Sequence, residues 1–388
     1  MKFKKNIAVF LTGIENISGG GGAERFWADI SQMFKSDSLN IYFFIDKITY
    51  KTLINVNRIN NHKNIIIIPK SPKNNLELFP YLAILFFKIL RYKIKIIHIG
   101  FYGAQYYKLC KFFSLLPKKI KPKLSITIVS CFTPYCFISE SFENDYKMKF
   151  RYQDLFNNVK IDGILTWYKK FKEVNDSENI IKSNPYIYPI KSCFTNLDNY
   201  RPSKNKSNII VFASRLTKIK RPLLYIDVIS LIKSIHPNIF EDWEFHIYGD
   251  GQQMNELKES VKSKFLENNV QLKKSYDLSL VFPYTKLFVS TQELENFTSL
   301  SMLEAMACEN AIIAFDVGQT NYFVKDKKNG FLSKDGDIKQ MANSIINFTL
   351  LKSSEQIELQ KKSRCIAIDQ HNLENFSSEL DDYFNHIL

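Results

Sequence analysis

The chain has 388 residues, 45% of them apolar and 24% charged, with a formal net charge of +14. That length and apolar content suit two domains with sizeable cores and exclude a disordered chain, while no apolar run is long enough to cross a bilayer. Cys110, Cys131, Cys136, Cys193, Cys308 and Cys365 form no CxxC pair or regular framework, which fits a reduced, cytoplasmic protein better than a secreted or zinc-bound one. Residues 1–200 carry 30 Lys+Arg against 15 Asp+Glu, and residues 201–388 carry 23 against 24. The whole excess therefore sits in the first half and points to an anionic partner there, a membrane surface or a nucleic acid.

The first segment, MKFKKNIAVFLTGI, imitates a signal peptide, but its apolar run is short and a Gly-rich loop follows. It reads as a first buried strand. GIENISGGGGAERFWADISQMF then sets a glycine loop before a helix with Ala23, Phe26, Trp27, Ile30 and Phe34 on its inner face. Gly20, Gly21 and Gly22 let backbone amides approach a phosphate or a sugar. Read as a dinucleotide fingerprint, the loop has Glu24 where the last small residue belongs, and Asp46 after NIYFFI is the ribose candidate. NIIIIP, KIIHIG, SITIVS, GILTWY and YIYPI follow as short β-branched runs between helix-length segments, the pattern of a parallel sheet. In FPYLAILFFKILRYKIK, Phe79, Leu82, Leu85, Phe86 and Ile89 share a helical face, with Lys88, Arg91, Lys93 and Lys95 at or beyond its end. Such a helix suits its own sheet or a membrane interface. His98, ending KIIHIG, reads as a satisfied core histidine, with substrate contact as the alternative.

After a polar stretch at 196–207, read as a linker, the alternation resumes with IIVFAS, WEFHIYG, VQLKK, LFVST and AIIAFD. The fold class expected is α/β, two doubly wound Rossmann-like domains over 1–200 and 201–370, with a last helix at 371–388 returning to the first domain. The ligand belongs in a cleft at the carboxyl ends of the strands. Arg215 follows one of these strands and Lys220 stands five residues later; a forked guanidinium and a mobile ammonium on one loop can both reach a diphosphate. Gly249, Asp250 and Gly251 follow the next strand, where backbone can approach a ligand closely. In QELENFTSLSMLEAMAC, Thr298 or Ser299 caps a helix whose free amides suit an anion. Glu304 lies among Leu303, Ala305, Met306 and Ala307, a costly place for a carboxylate unless something binds it. A ribose diol is one such partner; a neighbouring backbone group or arginine is the other. Asp335 to Asp337, DGD, reads as a surface turn, and no metal is expected.

SGGGGAER, SRLTKIKRP, YGDGQ, ENFTSLSMLEAMAC, DVG and NGFL followed by DGD resemble, in order and spacing, the retaining nucleotide-sugar glycosyltransferases of family 4, which have the GT-B fold. The resemblance covers nearly the whole chain and is strongest over 208–337. It implies that the second domain binds a nucleoside diphosphate sugar, UDP favoured over GDP, and that the first presents a glycan acceptor. It also implies that Arg215 and Lys220 hold the diphosphate and Glu304 the ribose. Phe297, Thr298, Ser299 and Leu300 would line the donor, and Gly20 to Gly22 would border both substrates, without metal or cofactor. The family's glutamate pair has seven residues between its members; here Asn296 has that spacing from Glu304 and Glu295 comes one position earlier, so either faces the sugar. Where many members carry a histidine, this chain reads Ser130, Cys131, Phe132. The charge split adds an anionic membrane and a polyprenol-linked acceptor, with the protein peripheral at the inner face of the cell membrane. No nucleic-acid signature accompanies the basic half. An NAD-dependent oxidoreductase, a sugar-nucleotide epimerase and a catalytically inactive GT-B partner subunit are the competing readings.

Overall fold

The computed structural model describes residues 4–14, 22–55, 59–60, 63–72, 74–100, 106–128, 153–275, 277–297 and 299–388, with only the backbone at 22–25 and 75. The chain divides into two units, 1–193 with 373–388, and 194–372.

In the first unit, strands rich in Ile, Val and Phe are apolar on both faces, which only a sheet covered on both sides can bury. They are β1 (Lys5–Leu11), β2 (Leu39–Asp46), β3 (Ile65–Ile68), β4 (Ile94–Ile99), β5 (Lys123–Ile128), β6 (Gly163–Thr166) and β7 (Tyr186–Pro189). All pair in parallel, in the order β3-β2-β1-β4-β5-β6-β7. Among the helices that connect them are α1 (Gly22–Met33), α2 (Lys47–Asn55), α3 (Asn75–Arg91), α4 (Tyr107–Ser114) and α5 (Phe171–Glu178). Phe26, Trp27 and Ile30 of α1 are buried, as the apolar spacing predicts.

The second unit repeats the plan with β8 (Ile209–Ala213), β9 (Glu244–Tyr248), β10 (Val270–Lys273), β11 (Leu287–Ser290), β12 (Ala311–Phe315) and β13 (Gly330–Ser333). Its parallel order is β10-β9-β8-β11-β12-β13. Helices α6 (Pro222–Ile235), α7 (Met254–Ser263), α8 (Leu300–Ala307), α9 (Ile338–Leu350) and α10 (Ser353–Gln370) belong to it. In both sheets the strand order reverses beside the first strand, at β1/β4 and at β8/β11. An open parallel sheet leaves room for a ligand outside the carboxyl ends at such a reversal.

The last helix, α11 (Leu373–Ile387), belongs to the first unit. Phe376, Leu380, Tyr383 and Phe384 are fully buried there. Glu379 accepts from the amides of Lys191 and Ser192 at 2.8 and 3.0 Å, and Tyr383 Oη meets Ser125 Oγ at 2.5 Å. The stretch read as a linker is anchored to the second unit. Tyr200 is buried, Ser203 and Ser207 donate to the carbonyls of Pro283 and Tyr284, and Lys206 Nζ donates to Thr285 and Cys308 carbonyls. Its polarity marks a segment tied by backbone hydrogen bonds, a pairing that side-chain periodicity does not reveal.

Two other expectations resolve in the first unit. His98 is fully buried between β-strand neighbours, with Nδ1 2.8 Å from Ser125 Oγ and Nε2 2.9 Å from Thr127 Oγ1. Burial pushes its pKa down to about 3, so it is a neutral core residue. On α3, Leu82, Leu85 and Ile89 face the core, whereas Phe79 is 81% exposed. Apart from the strip of Glu77, Lys88 and Arg91 the helix is apolar on most sides, and so broad an apolar surface does not fix from sequence alone which part is buried.

Candidate active site

The loops after β8 and β11 flank the reversal in the second sheet, and most of the expected donor residues stand on them. Arg215 is exposed two residues beyond β8, and among the described residues its guanidinium has no carboxylate partner. Lys220 closes the short 3₁₀ turn Lys218–Lys220 and is partly buried. Its Nζ donates to the neutral amide oxygen of Gln292, and among the described residues no carboxylate pairs with it. Desolvation, with the Arg215 charge adding to it, pulls the Lys220 pKa down to about 8. A cation removed from water without a counter-charge is costly, and an anion bound beside it relieves that cost.

The next residue is handled differently. Arg221 forms ion pairs with Glu293 at 2.8 Å and Asp335 at 2.5 Å. Thr291 Oγ1 donates to the carbonyls of Lys220 and Arg221 at 2.9 Å, and the Glu293 amide donates to Ile219 at 3.0 Å. The two loops are thus clamped together around the Lys220 ammonium. Asp335 serves that clamp, and Asp337 caps α9 through the Gln340 amide at 2.8 Å. The DGD segment is a turn, as its sequence context indicates.

Glu295 is 2% exposed. Its Oε1 accepts from the Phe297 amide at 2.7 Å, and both of its oxygens lie 2.9 Å from the Gln319 amide. Burial pushes its pKa up to about 7 against these backbone donors, which favour the carboxylate. Gln292 links the pair: its Oε1 accepts from Lys220 and its Nε2 donates to the Glu295 carbonyl. Gly318 closes the other side at φ +52°, where an added Cβ would lie 2.3 Å from Glu295 Oε2. Asn296, the alternative, is committed inward: its Oδ1 accepts from Ser290 at 2.7 Å and its Nδ2 donates to Thr320 at 3.2 Å.

The remaining candidates separate. Glu304 is 2% exposed on α8, one turn inside the helix. Ser299 is the N-cap residue but makes no capping bond; its hydroxyl lies 3.4 Å from Ser301 Oγ. Leu300 is buried. The Phe297 ring packs in an aromatic cluster with Tyr322, Phe323 and His371 at 5.0, 5.0 and 5.8 Å. The Phe297 ring is thus packed into this cluster, while its backbone amide donates to Glu295. After β9, Gly249 and Gly251 let this loop approach the Arg215 loop: a Cβ on Gly251 would meet the Leu216 carbonyl oxygen at 2.5 Å, and one on Gly249 the Ser214 oxygen at 2.0 Å. Asp250 between them is exposed and paired with Lys274 at 2.7 Å, which holds its carboxyl below the usual range. Thr298, Gly20, Gly21 and the Ser130 to Phe132 segment lie outside the described residues; the backbone of Gly22 opens α1.

Gln292 and Arg221 were missed by sequence reasoning. The only signal is position, one just past the end of β11 and the other immediately after Lys220. Asp46, the ribose candidate of the dinucleotide reading, is 3% exposed and accepts from Gly13, Ile48 and Thr49 amides and the Thr49 hydroxyl. It caps α2 and anchors the end of β1, which accounts for its carboxylate.

Residues 195–364 match the family model of the glycosyl transferases group 1. The chain is 30% identical over 240 residues to a poly(ribitol-phosphate) alpha-N-acetylglucosaminyltransferase of Staphylococcus aureus, covering 59% of this chain and 45% of that protein. It is 26% identical over 199 residues to an Escherichia coli UDP-Gal:alpha-D-GlcNAc-diphosphoundecaprenol alpha-1,3-galactosyltransferase, covering 45% and 49%. The chain thus spans about half the length of these curated relatives. In fold, it superposes on a mutant of S. aureus TarM solved with fondaparinux, alpha-GlcNAc-glycerol and UDP, with a TM-score of 0.72 at 16% identity, over 98% of this chain and 100% of that one. The two parallel Rossmann-like sheets and these neighbours define the GT-B architecture of glycosyltransferases.

Proposed function

We propose that the protein transfers a sugar from a nucleoside diphosphate sugar, UDP-linked in preference to GDP-linked, to a hydroxyl of a glycan acceptor, with retention at the anomeric carbon. The observation that carries this reading is the pair of cations at the β8/β11 reversal, Arg215 and Lys220. Neither has a carboxylate partner among the described residues, and Lys220 is desolvated. As the bond from C1 to the diphosphate oxygen breaks, negative charge grows on the leaving group, and two fixed cations stabilise it there. The acceptor oxygen then bonds to C1 from the same face, and its proton passes to the departing phosphate oxygen. Arg215 and Lys220 supply the charge stabilisation that a metal would otherwise provide, so we read the reaction as metal-independent and without a cofactor. Glu295, fixed by backbone amides beside the Lys220–Gln292 link, holds the sugar. Glu304 holds the ribose.

By their names, one relative transfers N-acetylglucosamine to poly(ribitol-phosphate) and another transfers galactose to a diphosphoundecaprenol-linked sugar. With the charge excess in residues 1–200, this supports a polyprenol-linked acceptor and a protein that works at an anionic membrane surface. Among the described residues no helix is long and apolar enough to cross a membrane; the attachment we propose is peripheral. Thermal-shift titration with UDP, GDP and NAD tests the donor class, because a ligand at 100 times its Kd adds about 2.7 kcal/mol of stability. The expected result is stabilisation by UDP, lost in Lys220→Ala; stabilisation by NAD alone would overturn the assignment.

A further inference from the structure

Helix α3 buries one face and exposes another that is equally apolar. Tyr81, Leu82, Leu85 and Ile89 enter the core that the helix shares with α4 on one side of the first sheet. The opposite face presents Leu76, Phe79, Phe87 and Leu90 at 89, 81, 70 and 44% exposure, with Ile84 at 41%. At 1.5 Å per residue these positions form a continuous stripe about 20 Å long. A surface helix ordinarily keeps that face polar, and an apolar stripe of this size marks a contact with something else.

The charge around the stripe identifies the partner. Residues 63–128, which contain α3 and α4 and the strands beside them, carry 13 Lys+Arg and a single acidic residue, Glu77. Arg91 at the end of α3, Lys93 in the turn after it and Lys95 at the start of β4 are exposed. In the turn after α4, Lys118 and Lys119 are exposed beside Leu115 at 80% and Ile120 at 42%. A second copy of the chain would bring the same positive field against this face, and like charges at that density repel. A bilayer with anionic headgroups meets both requirements, apolar depth for the phenylalanines and negative charge for the lysines.

We infer that the stripe Leu76, Phe79, Phe87 and Leu90, with the basic residues around it, is the surface by which the protein docks on an anionic membrane. This rests on the membrane reading above and names the surface that performs it. Flotation of the full chain with phosphatidylcholine vesicles, with and without phosphatidylglycerol, tests it against the double variant Phe79→Gln/Phe87→Gln. Both residues are exposed, so the variant keeps the wild-type melting temperature and UDP affinity. The wild type is expected to float only with phosphatidylglycerol vesicles, and the variant to lose at least about tenfold in partitioning. Wild type that floats equally with both vesicle types, or with neither, overturns the membrane reading and this surface together. Wild type and variant floating alike on anionic vesicles overturns the surface and leaves the membrane reading standing. A concentration-dependent dimer in sedimentation, abolished in the variant, would reassign the stripe to self-association.

Discussion

The first and second sheets reverse strand order at the same point, β1/β4 and β8/β11, yet the two units use positive charge differently. In the second unit, residues 194–372, charges nearly cancel, with 23 Lys+Arg against 21 Asp+Glu, and two cations that have no carboxylate partner among the described residues stand after β8. In the first, 13 basic residues against one acidic residue are spread over 66 positions. The contrast separates two kinds of electrostatics. A dispersed surface field acts over about 10 Å and collapses with added salt, whereas a desolvated cation acts at contact and is screened much less. Nucleotide binding should therefore survive salt that releases the protein from vesicles.

The largest expected effect lies at the focused end of this comparison. Lys220→Ala and Arg215→Ala should each lower turnover by about 10²- to 10³-fold, the range for removing one donor to developing charge. Release of nucleoside diphosphate is the readout. Full activity in both variants would show that Arg215 and Lys220 are not the leaving-group site, and the contrast between the units would lose its functional meaning.

Titration sharpens the same point. The Lys220 pKa is pulled down to about 8 in the folded protein, so UDP affinity should fall as pH rises through that value, and Lys220→Arg should remove the dependence. Glu295 moves the other way, from 4.5 to about 7. Between those values the native state holds a proton that the unfolded chain has released, so wild type gains stability as pH falls from 7 to 4.5 and loses it as pH rises through 7. Relative to Glu295→Gln, which does not titrate, the swing should be on the order of 3 kcal/mol. Urea melts across that range check it, and parallel pH profiles would remove Glu295 as a buried titrating group.

Gly318→Ala probes how closely the carboxylate must be held. The new Cβ overlaps Glu295 Oε2, and the backbone at φ +52° disfavours any side chain. Displacing Glu295 by about 1 Å should lower turnover by up to about 10²-fold, with little effect on UDP affinity. Comparable losses in both would place Gly318 at the nucleotide.

The fold was legible because its strands are unbroken β-branched runs, which buried parallel sheets require, and helix-length segments separate them. The positions of the two candidate cations were legible too, since Arg215 and Lys220 are set by one strand-to-loop transition. The clamp around them was not. Gln292 and Arg221 act through partners 72 positions away along the chain, and pairing at that separation leaves no local pattern. Helix α3 declared only part of its buried face: Leu82, Leu85 and Ile89 are buried as the spacing predicts, but apolar residues also line much of the rest of the helix, so Phe79 could not be assigned to either side. Asn296, whose spacing from Glu304 matches the family pattern, has its amide between Ser290 and Thr320, while the Glu295 carboxylate is held by the Phe297 and Gln319 amides and only its backbone carbonyl meets Gln292.

Arg221 provides the smallest and most discriminating change. It is as cationic as Arg215 and adjoins Lys220, but Glu293 and Asp335 already neutralise it, and its own φ of +49° marks it as the turn residue that closes the loop. If the pairing state of a cation decides its role, Arg221→Lys should weaken the clamp without touching the ligand. A lysine keeps the charge and loses the forked contact to two carboxylates. For partly exposed pairs the loss should be roughly 0.5 to 1 kcal/mol of unfolding free energy, with the Kd for UDP within about threefold of wild type. Denaturant melts and calorimetric titration of the same preparation measure both. A tenfold loss of UDP affinity at unchanged stability would make Arg221 a ligand cation in spite of its partners, and the division between paired and unpaired charge in the second unit would fail.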